Sequence, residues 1–501
     1  MALDSLALAW FDYPPYLNES ELFMVIPMIG IFLSLIVLIV LAYRGHSVVI
    51  AAPIAALLAT VLSGAPLLAT YTQIFMPALG KFITNYFPLF LTGAIFGRLM
   101  TVSGLAHDLA HGISKAFGAK RAMASTVLAT ALLTYGGVSA WVVAFTIVPI
   151  ATALFKEAGI PKRLMPAAIA FGTITFAIAA LPGSPQVHNV IPTKYFGTTS
   201  YAAPAIGLIG TAMMLVMGMI WLEYRVRALH RAGELYEPAG GSDSGAAALK
   251  ELEDAEGGHT VIPAHRGEGN VAIRGFLGFI PIAVVVAMNY LFIYVLSKQM
   301  DFSYLAEKKF GGVKLEAVLG TWSVTVAMAT AIIVIFLMRP GLFGVFIEGL
   351  GDGAKSAILP VFTTASEVGY GAVIGSLAAF TLLRDGVFSI ADNALIVGVI
   401  STGVIAGITG SSAGGLSMTL ETFGADLAQM ATEQGISLEA MHRIMAMASV
   451  SFDSLPHNGA VLTMLLVCGM THKQSYKDVA MVTVVIPIIA VSVLLAGTAV
   501  F

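Results

Sequence analysis

Two stretches of the chain place a helix-breaking Leu-Pro step beside a His-Asn pair, both inside long apolar runs. The first is LPGSPQVHN (181–189) and the second is SLPHN (454–458). Histidine titrates near neutral pH, and asparagine both donates and accepts hydrogen bonds, so either pair could bind an anion or relay a proton. Proline removes a backbone donor and interrupts a helix, which leaves polar backbone groups that lipid cannot satisfy. We therefore expect both stretches to line a wet cavity enclosed by protein.

Two acidic residues lie near these motifs and are the candidates for carrying a proton. Asp453 precedes His457 by four residues, and Glu421 follows Ser417 by four, which places Glu421 on the Ser417 face of a helix. Ionisable residues inside a membrane are costly and are functional by default. The competing interpretation is that Asp453 caps the neighbouring helix break and that both histidines are neutral partners of free carbonyls.

Other ionisable residues near apolar segments are expected at helix ends or in structural pairs, where their charged heads reach water or a partner. They are Arg98, His107, Asp108, His111 and Glu367.

Composition identifies the class of protein in which these residues must be positioned. Of 501 residues, 57% are hydrophobic and 11% are charged, with a net charge of −3 and a mean hydropathy of +0.88. A soluble domain could not expose so much apolar surface, so the sequence predicts an all-α polytopic membrane protein. The small net charge argues against a nucleic-acid partner. The single cysteine, Cys468, excludes disulfides and thiolate metal clusters within one chain, and no metal site is predicted.

Several apolar runs are long enough to cross a bilayer as helices, for which about 20 residues are needed. They lie at 23–43, 48–69, 86–106, 203–221, 275–296, 317–338, 356–382 and 478–499. Two further regions, about 122–200 and 390–471, are apolar but broken by Gly, Pro, Ser and Asn. Between the two halves, residues 222–274 are rich in Gly, Ala and mixed charge and are predicted to form a cytoplasmic linker.

Five short matches in the same order indicate that the second half of the chain duplicates the first. They are GGVS with GGLS, AGI with QGI, and two occurrences each of Leu-Pro, His-Asn and Gly-x-Thr, at offsets of 269 to 278 residues. The two membrane repeats are therefore placed at 1–221 and 275–501.

Each repeat is expected to contain a re-entrant hairpin followed by a broken helix. The hairpins are placed at about 122–153 and 392–431, and the broken helices at about 164–198 and 441–471. The breaks are assigned to Pro182, Pro185 and Pro192 in the first repeat and to Pro456 in the second.

The distribution of Lys and Arg predicts that the second repeat is inverted. With the acidic amino terminus outside, the basic loops at 115–121 and 156–163 fall inside, as the positive-inside rule prefers. Each half then crosses the membrane five times, and both termini are periplasmic. The loop at 297–314 argues against this topology, because it is placed outside and carries four lysines. Inverted repeats with interrupted helices are the architecture of secondary transporters.

Three long stretches resemble the gluconate:proton symporter (GntP) family of bacterial permeases. They are LPGSPQVHNVIPTKYFGTTSYAAP (181–204), GITGSSAGGLSMTLETFG (407–424) and SFDSLPHNGAVLTMLLVCGMTHKQSYKD (451–478). The chain is most similar to the branch usually described as D-β-hydroxybutyrate permease. The resemblance implies proton-coupled uptake of a small hydroxy-monocarboxylate, 3-hydroxybutyrate or gluconate-like, across the bacterial inner membrane. It also implies an elevator-type transporter that works as a homodimer without a cofactor.

The resemblance places the substrate between the two hairpin tips and the two breaks. The residues expected to bind it there are Gly137, Ser139, Ser184, His188, Asn189, Ser411, Ser412, Ser417, His457 and Asn458, with Asp453 and Glu421 as coupling residues. Serines and backbone N–H groups at half-helix amino termini would hold the carboxylate. The alternative role for the two asparagines is to cap the backbone at the breaks. Sodium is the alternative coupling ion, because hydroxyl, amide and carbonyl oxygens are also cation ligands.

A different class of function is an intramembrane serine hydrolase. The segment GSSAG (410–414) fits the G-x-S-x-G pattern, with Ser412 as nucleophile and His457 as base. No strand is predicted before this segment, and so short a pattern occurs by chance. The hydrolase is therefore the weaker alternative, and no enzymatic activity is expected.

Overall fold

The structure, a computed structural model, describes residues 19–44, 46–118, 121–236, 271–456 and 458–498. These residues form helices and no strand, which confirms the prediction of an all-α protein. In chain order the helices are α1 (Glu19–Tyr43), α2 (Val48–Leu62), α3 (Leu67–Val102), α4 (Leu105–Phe117), α5 (Ala122–Tyr135), α6 (Ala140–Glu157), α7 (Lys162–Ala179), α8 (Val187–Phe196), α9 (Pro204–Arg231), α10 (Val271–Gln299), α11 (Leu315–Met338), α12 (Pro340–Ser376), α13 (Phe380–Phe388), α14 (Ala394–Thr409), α15 (Ser412–Glu433), α16 (Leu438–Phe452), α17 (Gly459–Val467) and α18 (His472–Thr498).

The helices in the described ranges fit a polytopic membrane protein. Seven of them, α3, α7, α9, α10, α11, α12 and α18, are long and apolar enough to cross a bilayer. Large apolar side chains such as Leu208, Val216 and Ile220 are exposed on the outer face of α9. Apolar surface of this kind is stable against lipid and not against water.

Some helices extend beyond the apolar runs from which the sequence predicted them. Helix α9 continues to Arg231 and so enters the segment assigned to the linker. The added residues, LEYRVRALHR, are mostly strong helix formers whose charged ends can remain in water. Residues 237–270 of that segment lie outside the described residues.

The order of helices occurs twice along the chain. Helices α3 to α9 and α12 to α18 each comprise a long helix, a short helix, a hairpin, a helix that ends at a break, a short helix and a long final helix. Corresponding helices begin 268 to 276 residues apart. The orientation of the two repeats relative to a bilayer stays a prediction.

Each hairpin has a short tip, and each half has one main break. The first tip is residues 136–139 and the second tip is residues 410–411. The first break is residues 180–186 and the second break is residues 453–458, of which residue 457 lies outside the described part.

The prediction that Pro192 interrupts the first broken helix is wrong. Pro192 lies in the second turn of α8 and is buried, whereas Pro182 and Pro185 lie in the first break. A proline inside a helix removes one backbone hydrogen bond, and tertiary packing around a buried helix can compensate for that loss.

Glycines allow the long helices to touch through their backbones. A Cβ atom on Gly353 of α12 would lie 2.7 Å from the Cα atom of Ile95 on α3, and one on Gly112 of α4 would lie 2.7 Å from the Cα atom of Gly275 on α10. Close approach at small residues is typical of helix packing in membranes. Helices α3 and α12 thus form a tightly packed pair beside the second hairpin.

Candidate functional site

Each break lies against the tip of the hairpin in its own half. In the first half, the Tyr135 hydroxyl donates to the Pro182 carbonyl (3.0 Å), and the Gln186 amide donates to the Thr134 carbonyl (2.8 Å). In the second half, the Asn458 amide donates to the carbonyl of Gly410 in the second tip (2.9 Å). The sequence motifs that break the helices are therefore also the segments that contact the tips.

Side chains of the protein bind the carbonyls that the breaks release. Donor and acceptor pairs in and beside the breaks are Arg443 to Ala179 (3.0 Å), Asn289 to Gly183 (3.2 Å), Tyr476 to Ser454 (3.0 Å) and His472 to Pro456 (2.9 Å). We expected these carbonyls to face a wet cavity. The structure instead pairs them internally, as buried backbone groups require, and this leaves fewer of them to coordinate a cation.

Ser412, the first residue of α15, is the point at which the two halves meet. Its hydroxyl lies 2.8 Å from Nε2 of His188 in the first turn of α8. The carboxylate of Asp453 in the second break lies beside this hydroxyl and the backbone N–H of Ser412, and it accepts a hydrogen bond from the Ser454 hydroxyl at 2.8 Å. All four side chains are buried. A helix amino terminus, an acid and a histidine therefore share one buried site.

Glu367 reaches the same turn of α15 from the interior of α12. Its side chain is fully buried, so the expectation that it lies at a helix end or in a structural pair is wrong. A Cβ atom on Gly414 would lie 1.4 Å from its Oε2 atom, and the Ser411 hydroxyl lies beside the carboxylate. The position of Glu367 in a long apolar helix was the signal in the sequence that could have identified it.

Most of the predicted substrate-binding side chains already bind the protein itself. Ser139 and Ser411 cap α6 and α15 by accepting from the N–H groups of Val142 (3.5 Å) and Gly414 (3.0 Å), and the Ser417 hydroxyl donates to the Ala413 carbonyl (2.7 Å). Asn458 caps α17 by accepting from the Val461 N–H (2.9 Å), and Asn189 accepts from Arg443 and donates to the Leu181 carbonyl (3.4 Å). The capping alternative thus describes Asn458, whereas Asn189 bonds to the Arg443 side chain and to one carbonyl of the first break.

The other residues predicted to bind the substrate fall into three cases. Ser184 is fully buried, and its hydroxyl has no hydrogen-bond partner among the described residues, as is also true of Nδ1 of His188. Gly137, with a φ of 99°, has no room for a side chain because a Cβ atom would lie 2.0 Å from Cε of Met328. His457 lies outside the described residues.

Glu421 lies about two helical turns away from Ser412, in a separate cavity. Its carboxylate pairs with Lys81 of α3 (3.2 Å) and accepts a hydrogen bond from the Tyr195 hydroxyl of α8. Lys194 and Ser417 also line this cavity. The contacts between His188 and Ser412, and between Tyr195 and Glu421, show that α8 and α15 run parallel, with both amino termini at the buried site.

Arg443 is the residue that sequence reasoning missed. It is fully buried in α16 and donates to the carbonyls of Ala179, Ser200 and Ala202, and to Asn189. An arginine in the middle of an apolar helix was a signal that could have been used. Its guanidinium group braces the backbone on both sides of the first break.

The described residues around Ser412 do not form a hydrolase triad. A triad needs the acid on the far nitrogen of the histidine. Here Asp453 lies beside the serine, and within the described ranges Nδ1 of His188 has no hydrogen-bond partner. The predicted base, His457, lies outside the described residues. No strand precedes Ser412 in the part of the chain that the structure describes, so the turn of a nucleophile elbow is also missing there.

The apolar outer surface, the long helices and the buried ionisable site together define a polytopic helical membrane protein. Over 464 residues the chain is 40% identical to a protein named uncharacterized transporter YxjC of Bacillus subtilis (strain 168), in an alignment that covers 91% of this chain and 96% of that protein. The chain belongs to the family of that transporter. No protein-family model matches the chain.

Proposed function

We propose that this protein is a secondary transporter that imports a small hydroxy-monocarboxylate together with protons. The observation that carries the proposal is the meeting of Asp453, His188 and the amino terminus of α15 at Ser412. Backbone N–H groups at a helix amino terminus favour a carboxylate, and a buried acid suits a coupling proton. The relationship to YxjC supports transport, and the resemblance to the GntP permeases supports 3-hydroxybutyrate or a gluconate-like acid as substrate.

Competition for the donors of Ser412 links substrate binding to proton binding. The hydroxyl and N–H of Ser412 lie beside the carboxylate of Asp453. A substrate carboxylate that binds the same donors displaces that of Asp453 and leaves it buried without a partner. An ionised carboxylate in such a place is costly, so the displaced acid takes up a proton. Each anion that enters therefore brings a proton with it.

The alternating-access part of the proposal is a joint movement of the two hairpins and the two breaks. Its support is the repeated order of helices and the hydrogen bonds that tie each tip to its own break. We propose an inverted arrangement of the repeats, an inner-membrane location with both termini outside, and a homodimer, on the resemblance and on the Lys and Arg distribution.

The alternative coupling ion is sodium. Carbonyls at the two breaks already accept hydrogen bonds from side chains such as Arg443 and Tyr476, which reduces their availability as cation ligands. This favours a proton on Asp453 over a sodium ion bound by backbone oxygens.

The test uses purified protein in liposomes loaded with a pH-sensitive dye. D-3-hydroxybutyrate and gluconate are added separately, with and without sodium. We expect at least one of them to acidify the interior without sodium. Asp453→Asn should lose acidification but keep exchange of labelled for unlabelled substrate, because the amide cannot carry a proton yet still occupies the site.

The control variant is Asp385→Asn, which changes an exposed acid on α13 and should behave like the wild type. Uptake of labelled substrate that requires sodium would overturn the proton assignment. Normal acidification by Asp453→Asn would overturn the role of Asp453.

A further inference from the structure

Glu367 is the least satisfied ionisable side chain in the described part of the molecule. It is fully buried, and neither carboxylate oxygen meets a donor in hydrogen-bonding geometry among the described residues. Burial of an ionised carboxylate without hydrogen bonds or a cation is strongly unfavourable. An acid retained in such a place needs an explanation other than stability.

The buried acids fall into two groups, those that form ion pairs with arginines and those that do not. Asp108 pairs with Arg274 (2.5 Å) and with Arg339 (3.3 Å), and Asp478 pairs with Arg225 (2.6 Å). Glu367 and Asp453 form no ion pair within the described ranges, although both are buried. These two acids approach the same first turn of α15, Asp453 at Ser412 and Glu367 at Gly414.

The sequence of α15 makes room for Glu367. The carboxylate occupies the space that a side chain at position 414 would fill, because a Cβ atom there would lie 1.4 Å from its Oε2 atom and 2.9 Å from Oγ of Ser411. Helices α12 and α15 stay in contact one turn further along each, where a Cβ atom on Gly371 would lie 2.6 Å from Cγ of Met418. The carboxylate is thus held at the amino terminus of α15 by close helix packing.

The ionisable groups around Glu367 come from several packed elements. Asp453 approaches from the second break and His188, through Ser412, from α8. Tyr86 and Lys81 of α3 line the cavity around Glu421, and Val368, the residue after Glu367, lines the same cavity. Two unpaired acids at one turn oppose the entry of a third carboxylate unless protons neutralise them.

We propose that Glu367 is a second coupling residue and that it takes up one proton in each transport cycle. This inference rests on the proposed function. Protonated Glu367 leaves the amino terminus of α15 to the substrate carboxylate and can itself donate a hydrogen bond to that carboxylate or to the Ser411 hydroxyl. With one proton on Asp453 and one on Glu367, two protons accompany each monocarboxylate, and each cycle moves one net positive charge inward.

The first measurement needs only the wild-type protein. Liposomes containing potassium and valinomycin set the membrane potential, and uptake of labelled D-3-hydroxybutyrate is measured with and without an inside-negative potential at a fixed pH gradient. We expect the negative potential to accelerate uptake. At zero membrane potential and with a pH difference of one unit, two protons per anion permit the labelled substrate to accumulate about 100-fold. One proton per anion permits about 10-fold accumulation.

The second measurement uses Glu367→Gln, which keeps the shape of the side chain but cannot exchange a proton. We expect its uptake to lose the response to potential and its maximal accumulation to fall to about 10-fold, while counterflow exchange continues. Glu367→Met, neutral and of similar length, serves the same purpose if the glutamine variant does not yield monodisperse protein. Glu348→Gln, an exposed acid on the same helix, is the matched control and should keep the wild-type response.

The outcomes separate this inference from the function on which it rests. If proton-driven uptake by the wild type does not depend on the membrane potential, the role of Glu367 is overturned and the symporter proposal stands. A potential response that persists in both Glu367 variants would also overturn it. An absence of proton-driven uptake in the wild type would instead overturn the proposed function.

Discussion

The two hairpin tips occupy equivalent places in the order of helices but have opposite surroundings. The first tip packs against apolar side chains, since Gly136 lies against Ile282 and Gly137 lies against Met328. At the second tip and the turn that follows it, the neighbours are ionisable. Glu367, Asp453 and His188 all reach Ser412 or Gly414.

The difference extends to the breaks. A buried arginine from the second half, Arg443, donates to the Ala179 carbonyl and to the Asn189 amide oxygen, which flank the first break. The second break carries an acid, Asp453, which accepts from the Ser454 hydroxyl and lies beside the hydroxyl and N–H of Ser412. The two halves thus share an order of helices but differ in the chemistry of their tips and breaks. Matching positions in a repeat should not be assigned the same role.

The largest effect that this comparison predicts is a loss of stability in Arg443→Met. Three backbone carbonyls and Asn189 lose their donor, and each buried acceptor left without a partner costs about 1–3 kcal/mol. We expect a net destabilisation of about 2–4 kcal/mol, measured as a lower thermal midpoint in detergent. Lys355→Met, which changes a lysine with a 78% exposed side chain, is the control. A variant that melts like the wild type would show that the first break does not depend on this brace.

The second prediction compares two serines, each at the start of the second arm of its hairpin. Ser412→Ala removes a hydroxyl that contacts His188, lies beside Asp453 and in the proposed site holds the substrate carboxylate. Hydrogen bonds to charged groups contribute about 1.5–3 kcal/mol. We expect the substrate concentration for half-maximal uptake to rise by about 10- to 100-fold.

Ser139→Ala removes only a long cap hydrogen bond of 3.5 Å, so the same constant should change by less than about threefold. Equal effects of the two substitutions would remove the distinction between the tips.

The smallest predicted effect is at the cavity around Glu421. Lys81 is 59% exposed, and exposed ion pairs contribute about 0–1 kcal/mol. We therefore expect Glu421→Gln and Lys81→Gln to change the uptake rate by less than about fivefold, with a smaller change at high salt. If Glu421→Gln abolished proton-driven uptake, coupling would belong to this cavity and not to the second tip.

The parts of the fold that depend on local sequence could be predicted. Leu-Pro steps and Gly-Ser clusters mark the breaks and the tips because proline and glycine act on the backbone where they stand. Pro192 was misassigned because a proline does not by itself determine where a helix ends, and here α8 continues through it.

The parts of the site that depend on distant contacts could not be predicted. Glu367 and Ser412 are separated by a helix, a loop and a hairpin arm in the chain, and only the packing of α12 on α15 brings them to one turn. In the same way, nothing near Asn189 in the sequence indicates that Arg443 binds its amide oxygen. Spacing predicts which residues share a helix face, but not which helices become neighbours.

In the proposed symport cycle, the parallel packing of α8 and α15 also affects whether protons cross without substrate. Their amino termini lie side by side, so two partial positive charges meet at His188 and Ser412. An anion must stay there, either the Asp453 carboxylate or that of a substrate. A carrier that has bound protons without a substrate has neither, and it is therefore the least favourable state. Under the proposed mechanism, the helix ends that attract the substrate carboxylate thus also oppose the movement of protons through a protein that carries no substrate.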